Sequence, residues 1–192
     1  MVEVERGIAR HGPGPIKLTI WMGACALLLA PLVAMQFTRE VMWTASDFIV
    51  FGAMLFGALG LYELAARNAR GTAYRWAAGI TVAAGFFLVW INLAVGVIGS
   101  EDNPANLMFV GVLAVALLGA LGARLRPAGM ASALFATAFA QLIVGIVALT
   151  GNLGADGIGW PRDVIGLTAI FTCLWLASAL LFRRAAHAEM AA

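Results

Sequence analysis

Charge is scarce in this 192-residue chain. Asp, Glu, Lys and Arg together make up 11% of it, where a soluble domain carries about a quarter. That scarcity excludes a water-facing surface over most of the molecule. With 62% hydrophobic residues and a mean hydropathy of +0.94, the solvent for most side chains must be lipid. Histidine is confined to His11 and His187, close to the two ends, so a bis-histidine haem or copper centre has no ligands within the apolar segments. The only lysine, Lys17, borders the first apolar run, which argues against a retinal-type Schiff base. Cys25 and Cys173 lie in apolar runs without CxxC spacing. They read as small packing residues rather than a disulfide framework or zinc site. G-x-S-x-G, HExxH and Walker patterns are absent, so no catalytic residue, metal or cofactor is expected. A net charge of +2 is too small to suggest nucleic acid.

What the chain does have is long apolar runs. They predict an all-α polytopic membrane protein with six transmembrane helices, at 18–37, 46–66, 74–99, 104–124, 128–150 and 162–182. The first is about 30 Å long as a helix, beyond a usual signal-peptide core, and reads as a retained span. The expected organisation is a tail over 1–17, a transmembrane domain over 18–182 and a tail over 183–192. The connecting loops are too short for a soluble domain. Asn103-Pro104 reads as N-cap and N1, Pro161 as another N1, and Thr44 or Ser46 precedes Asp47 as a cap.

Ten of the twelve basic residues fall on one side of this alternating series. They are Arg6, Arg10 and Lys17; Arg67, Arg70 and Arg75; Arg124 and Arg126; Arg183 and Arg184. Only Arg39 and Arg162 fall on the other. Short loops follow the positive-inside rule, so both termini are expected in the cytoplasm and the protein in a bacterial cytoplasmic membrane. Trp43 and Trp160 outside, with Tyr74 and Trp76 inside, fit the aromatic belts.

Spans 2–3 and 4–5 carry a trace of tandem helical-hairpin duplication, at a level that low-complexity apolar sequence also reaches by chance. Asn92-Leu-Ala-Val-Gly96 parallels Gln141-Leu-Ile-Val-Gly145, and Gly52 with Gly60 parallels Gly111 with Gly119. Asn92 and Gln141 must find partners in hydrocarbon. They read as interhelical glue in preference to a pair of amides lining a substrate path. Glu63, the only acid well within a span, precedes Arg67 by four residues and reads as half of an ion pair in preference to a proton relay. Glu101, Asp102, Asp156 and Asp163 gather on the outer side as caps and topology signals, or as a weak cation or partner surface. The Asn152–Gly157 stretch with Asp163 only faintly matches a calcium loop, because Gly154 stands at its third position and the closing Glu is missing.

Small-residue ridges at helical spacing are Ala26, Ala30 and Ala34; Ser132, Ala136 and Ala140; and Ala169, Cys173 and Ala177. Such ridges serve helix packing inside a bundle or docking against another subunit. Lipid, other membrane subunits or a second copy are the expected partners. An accessory or structural role is the first expectation. A small permease or channel with a path between spans 2–5 is the alternative.

The stretch from Trp90 to Met130 resembles a family of small bacterial inner-membrane proteins. The resemblance is carried by Gly99-Ser-Glu-Asp-Asn-Pro-Ala-Asn-Leu-Met-Phe109 and by Arg124-Leu-Arg126-Pro127-Ala-Gly-Met130. It implies a location and no chemistry. The Asn-Leu-x-x-Gly pieces are also similar to SPW-repeat membrane proteins, without the Ser-Pro-Trp signature.

Overall fold

The computed structural model describes residues 15–39 and 41–191, with side chains from residue 18 onward. The tail carrying Arg6, Arg10 and His11, and the side chain of Lys17, lie outside the described residues. The helices are α1 Pro15–Phe37, α2 Ala45–Arg67, α3 Thr72–Ala94, α4 Met108–Ala123, α5 Pro127–Thr150 and α6 Arg162–Met190. A 3-10 turn, Pro104–Leu107, leads into α4. Among the described residues there is no strand. Six helices, α4 together with that turn, are long and apolar enough to cross a membrane. The chain is a multi-pass helical membrane protein.

Its contacts divide the chain between Gly57 and Ala58 into two compact units. In the first, Trp21 of α1 stacks on Phe56 of α2 at 5.8 Å, and Leu28 lies over Gly52. The start of α2 is capped as its sequence suggests. Asp47 accepts from the Thr44 amide at 2.7 Å and its hydroxyl at 2.8 Å, satisfying donors that the first turn leaves free.

In the second unit α6 packs between α3 and α5, and α4 packs along α5. Gly85 of α3 faces Leu113 of α4. The inward face of α5 runs through Leu134, Ala138, Gln141, Val144 and Ala148, and that of α6 through Val164, Phe171, Trp175, Ala179 and Phe182. These intervals of three and four residues place each set on one side of its helix. Close approach of α4 to α5 depends on Gly119, where a Cβ would lie 2.6 Å from that of Ala133.

Two boundaries differ from the apolar pattern. The third helix stops at Ala94 rather than near residue 99, because Gly96 turns the chain with φ +73° and its N–H closes on the Ile91 carbonyl at 2.9 Å. Gly96 therefore serves a turn and not a close helix crossing. The last helix runs eight residues past 182, to Met190. Alanine and arginine are strong helix formers whether lipid or water surrounds them. At the other starts Asn103 caps the 3-10 turn through Ala105 N–H at 3.0 Å, and Pro161 is the N-cap of α6 rather than N1.

The small-residue ridges are not packing seams within either unit. Ser132 and Ala136 are exposed and Ala140 half-buried, while Ala169, Cys173 and Ala177 are all exposed. On α1, Ala26 and Ala30 are exposed. Cys25 and Cys173 are both free and exposed, so neither fills the core.

Candidate functional site

The most unusual chemistry lies where α5 meets α6. At Gly145 the two helices come so close that a Cβ would sit 2.6 Å from both Oγ1 and Cγ2 of Thr168. The helices are antiparallel, so one turn further from the 151–161 loop Gln141 is level with Thr172, and Ala138 with Trp175. Gln141 is fully buried, and Thr168, Thr172 and Trp175 are nearly so. Among the described residues neither end of the Gln141 amide has a hydrogen-bond partner, nor do the two threonine hydroxyls or the Trp175 indole N–H. Buried polar atoms are nearly always paired, so such a run of unpaired ones is exceptional. The group can donate and accept hydrogen bonds. It holds no acid, base or activated nucleophile.

Asn92 does not share this environment. It is half-buried near the end of α3 and donates to Leu88 O of its own helix at 2.7 Å, with Oδ1 buried and unpartnered. Among the described residues neither amide makes the interhelical bond expected of it. That work falls to other residues. Ser178 of α6 donates to Ala77 O of α3 at 2.7 Å and is in turn 2.7 Å from the Thr81 hydroxyl, which must donate to it. Tyr74 donates to Leu125 O at 2.7 Å. Sequence periodicity holds a signal for α6, since Thr168, Thr172 and Trp175 recur at helical spacing within an apolar run. Glu63 is half-buried in α2, four residues before the exposed Arg67.

At one end of this unit the 95–103 and 151–161 loops lock together. Gly99 has φ +76°, and a Cβ on Gly154 would lie 2.8 Å from Gly99 N. Asn103 Nδ2 donates to Leu153 O at 2.6 Å. Asn106 is the clamp. Its Oδ1 accepts from Val97 N at 3.1 Å and Ile98 N at 2.9 Å, and its Nδ2 donates to Ser100 O at 2.7 Å. A small cavity of about 100 Å³ lies beside these loops, lined by Gly96, Gly99, Trp160, Asp163 and Leu167 among others. Glu101, Asp102, Asp156 and Asp163 are all exposed. Among the described residues no three acids, histidines or cysteines gather as a metal site. Asn152, with φ +50°, occupies the left-handed position that closes α5.

Replacing Asn106 by leucine should leave the buried amides of Val97 and Ile98 unpaired. A loss of about 3 kcal/mol is expected from two such donors. Thermal unfolding in detergent should fall accordingly, and limited proteolysis should open the 95–101 segment. An unchanged melting temperature with an intact loop would refute the clamp.

Comparison of the chain with protein-family models, with curated proteins and with solved structures finds no match in any of the three.

Proposed function

We propose that this protein is an accessory subunit of a bacterial cytoplasmic membrane, both termini cytoplasmic, that docks onto other membrane helices through its small-residue faces. The observation that carries this is the outward direction of Ser132 and Ala136 on α5 and of Ala169, Cys173 and Ala177 on α6. Small residues allow backbones to approach, and association in lipid depends on such approach because apolar surface alone gives little drive. The ten-to-two distribution of basic residues supports the orientation.

A photo-crosslinking residue at Ala136 or Ala169 should capture another membrane polypeptide in native membranes. Ala136→Leu and Ala177→Leu should cut that capture about tenfold or more, the effect of losing about 1.4 kcal/mol of association, while the chain still folds. A stable lone monomer with no adduct at either position would defeat the proposal. An adduct at twice the chain's own mass would assign the partner as a second copy.

A second reading is favoured by the unpaired amide, hydroxyl and indole groups between α5 and α6. They would line a path for a small uncharged solute in a permease. Such a path would run between α5 and α6, which would have to separate to open it, since a Cβ at Gly145 already meets Thr168.

A further inference from the structure

Tyr74 draws three stretches of chain to one point. Its hydroxyl reaches the Leu125 carbonyl at 2.7 Å, and its ring meets Phe182 edge-on with centroids 4.9 Å apart. Each of these residues has arginine beside it in sequence. Arg75 follows Tyr74, Arg124 and Arg126 flank Leu125, and Arg183 and Arg184 follow Phe182. Arginines of α3, the α4–α5 turn and α6 thus belong to one end of this unit, and all of them are exposed. Among the described residues their guanidinium groups make no hydrogen bond or ion pair. The one acid in the last turns of α6 is Glu189.

Topology alone does not ask for this arrangement. The positive-inside rule is met by arginines scattered through any short loop. Here the residues beside the arginines are joined through Tyr74, and the turn that carries two of the arginines is strained. Arg124 and Leu125 both have positive φ, 50° and 56°, a region that side chains with a Cβ seldom enter. Glycine would relieve that strain, yet arginine stands at the position. One carboxylate, Glu189, acts electrostatically on Tyr74 at this end, and five arginines against one acid leave an excess of positive charge that suits an anion. Guanidinium is the group best matched to phosphate oxygens.

The surroundings say which anion. The outer face of α4 immediately before the turn presents Leu117, Leu118 and Leu121, each more than half exposed, and Trp76 of α3 is 70% exposed. A phosphate group beside an apolar helix face of this kind fits a phospholipid, with its acyl chains in the hydrocarbon layer. A free phosphate would gain nothing from the leucines. We infer that this end of the bundle binds an anionic phospholipid, its headgroup phosphate among Arg75, Arg124, Arg126, Arg183 and Arg184 and its acyl chains along the leucine face of α4. The inference requires only that the chain sits in a membrane, and it goes beyond the docking role proposed above.

Native mass spectrometry of the full chain in detergent, with added phosphatidylglycerol or phosphatidylcholine, tests it. The wild type should retain phosphatidylglycerol about tenfold or more over phosphatidylcholine. Arg124→Gln with Arg126→Gln should reduce that retention by ~10-fold, consistent with the strength of single basic contacts to anionic lipid. Arg124→Lys with Arg126→Lys should keep most of it, and Arg162→Gln, in the first turn of α6 at the opposite end, should change nothing. Millimolar inorganic phosphate should fail to displace the lipid. Equal retention of the two lipids by the wild type would overturn the assignment even if the glutamine variant failed to fold. So would an equal loss in Arg162→Gln, or displacement by inorganic phosphate.

Discussion

Gly145→Leu is expected to be the most damaging single substitution in the bundle. The position lies in the last third of α5, where the neighbouring helix already stands at contact. A Cβ there would meet Thr168 Oγ1 and Cγ2 at 2.6 Å and Thr168 Cβ at 3.1 Å. The obstacle is a β-branched side chain held within a helix, which has almost no rotamer freedom to withdraw. The helices must move apart, and the contacts of Val144, Ala148 and Val164 would go with them. Overpacking of this kind costs about 3 kcal/mol or more. Leucine at Gly111 or Gly122, where nothing lies within 4 Å of the added Cβ, should instead be neutral or gain up to about 1 kcal/mol of helix propensity. The contrast separates packing from propensity. Thr168→Ala removes both atoms at 2.6 Å, so Gly145→Ala should be tolerated far better in that background than alone, a coupling of about 1 kcal/mol or more. Reversible unfolding in mixed micelles measures all of these variants. Equal melting temperatures for Gly145→Leu and Gly111→Leu would sink the close-approach argument.

The six helices were legible because hydrocarbon imposes a length and a composition that leave a plain trace. Starts were legible where a cap is local, as at Thr44 with Asp47 and at Asn103 with Pro104. Ends were less so. Gly96 lies in an unbroken apolar run whose composition does not distinguish a helical glycine from one at φ +73°. Met190 ends a helix that outlives its apolar stretch, because hydropathy records solvent and helix propensity does not depend on it. The direction of each face was the least legible property. Ala169, Cys173 and Ala177 look like a packing ridge, yet the buried face is Thr168, Phe171, Thr172 and Trp175, a few tens of degrees around the helix or more. In a segment apolar all round, amphipathicity gives no bearing. For the candidate site, Gln141 was visible as an amide in hydrocarbon, but its neighbours on α6 depended on which face turned inward. Tyr74 read as an aromatic belt residue, and nothing local foretold its bond to Leu125, fifty-one positions away.

Gln141→Leu is expected to stabilise the fold, which is the reverse of what a structural amide would do. Leucine has a similar volume, so the site between Gly145 and Ala138 can accept it without a large cavity or clash. The glutamine amide is withdrawn from solvent with neither its NH₂ nor its carbonyl oxygen paired. An unpaired buried polar group costs about 1–3 kcal/mol, and removing both halves of the amide at once leaves no new orphan behind. A gain of about 2 kcal/mol is therefore expected, read as a higher midpoint of reversible unfolding in micelles. Thr172→Val, level with Gln141 on α6, should act in the same direction with a smaller gain, since it removes one unpaired hydroxyl. If either change instead lowers stability, the amide is bonded across the interface and is the glue its sequence suggested. A stable variant also makes the functional question answerable. In liposomes, wild-type chain that speeds the entry of a small uncharged solute such as glycerol should lose that ability in Gln141→Leu, because the path along α6 has lost its central donor and acceptor. Equal glycerol entry in protein-free, wild-type and Gln141→Leu vesicles would exclude the permease reading. A polar cluster retained against its own cost in stability would then be left to specify which face of α6 meets α5.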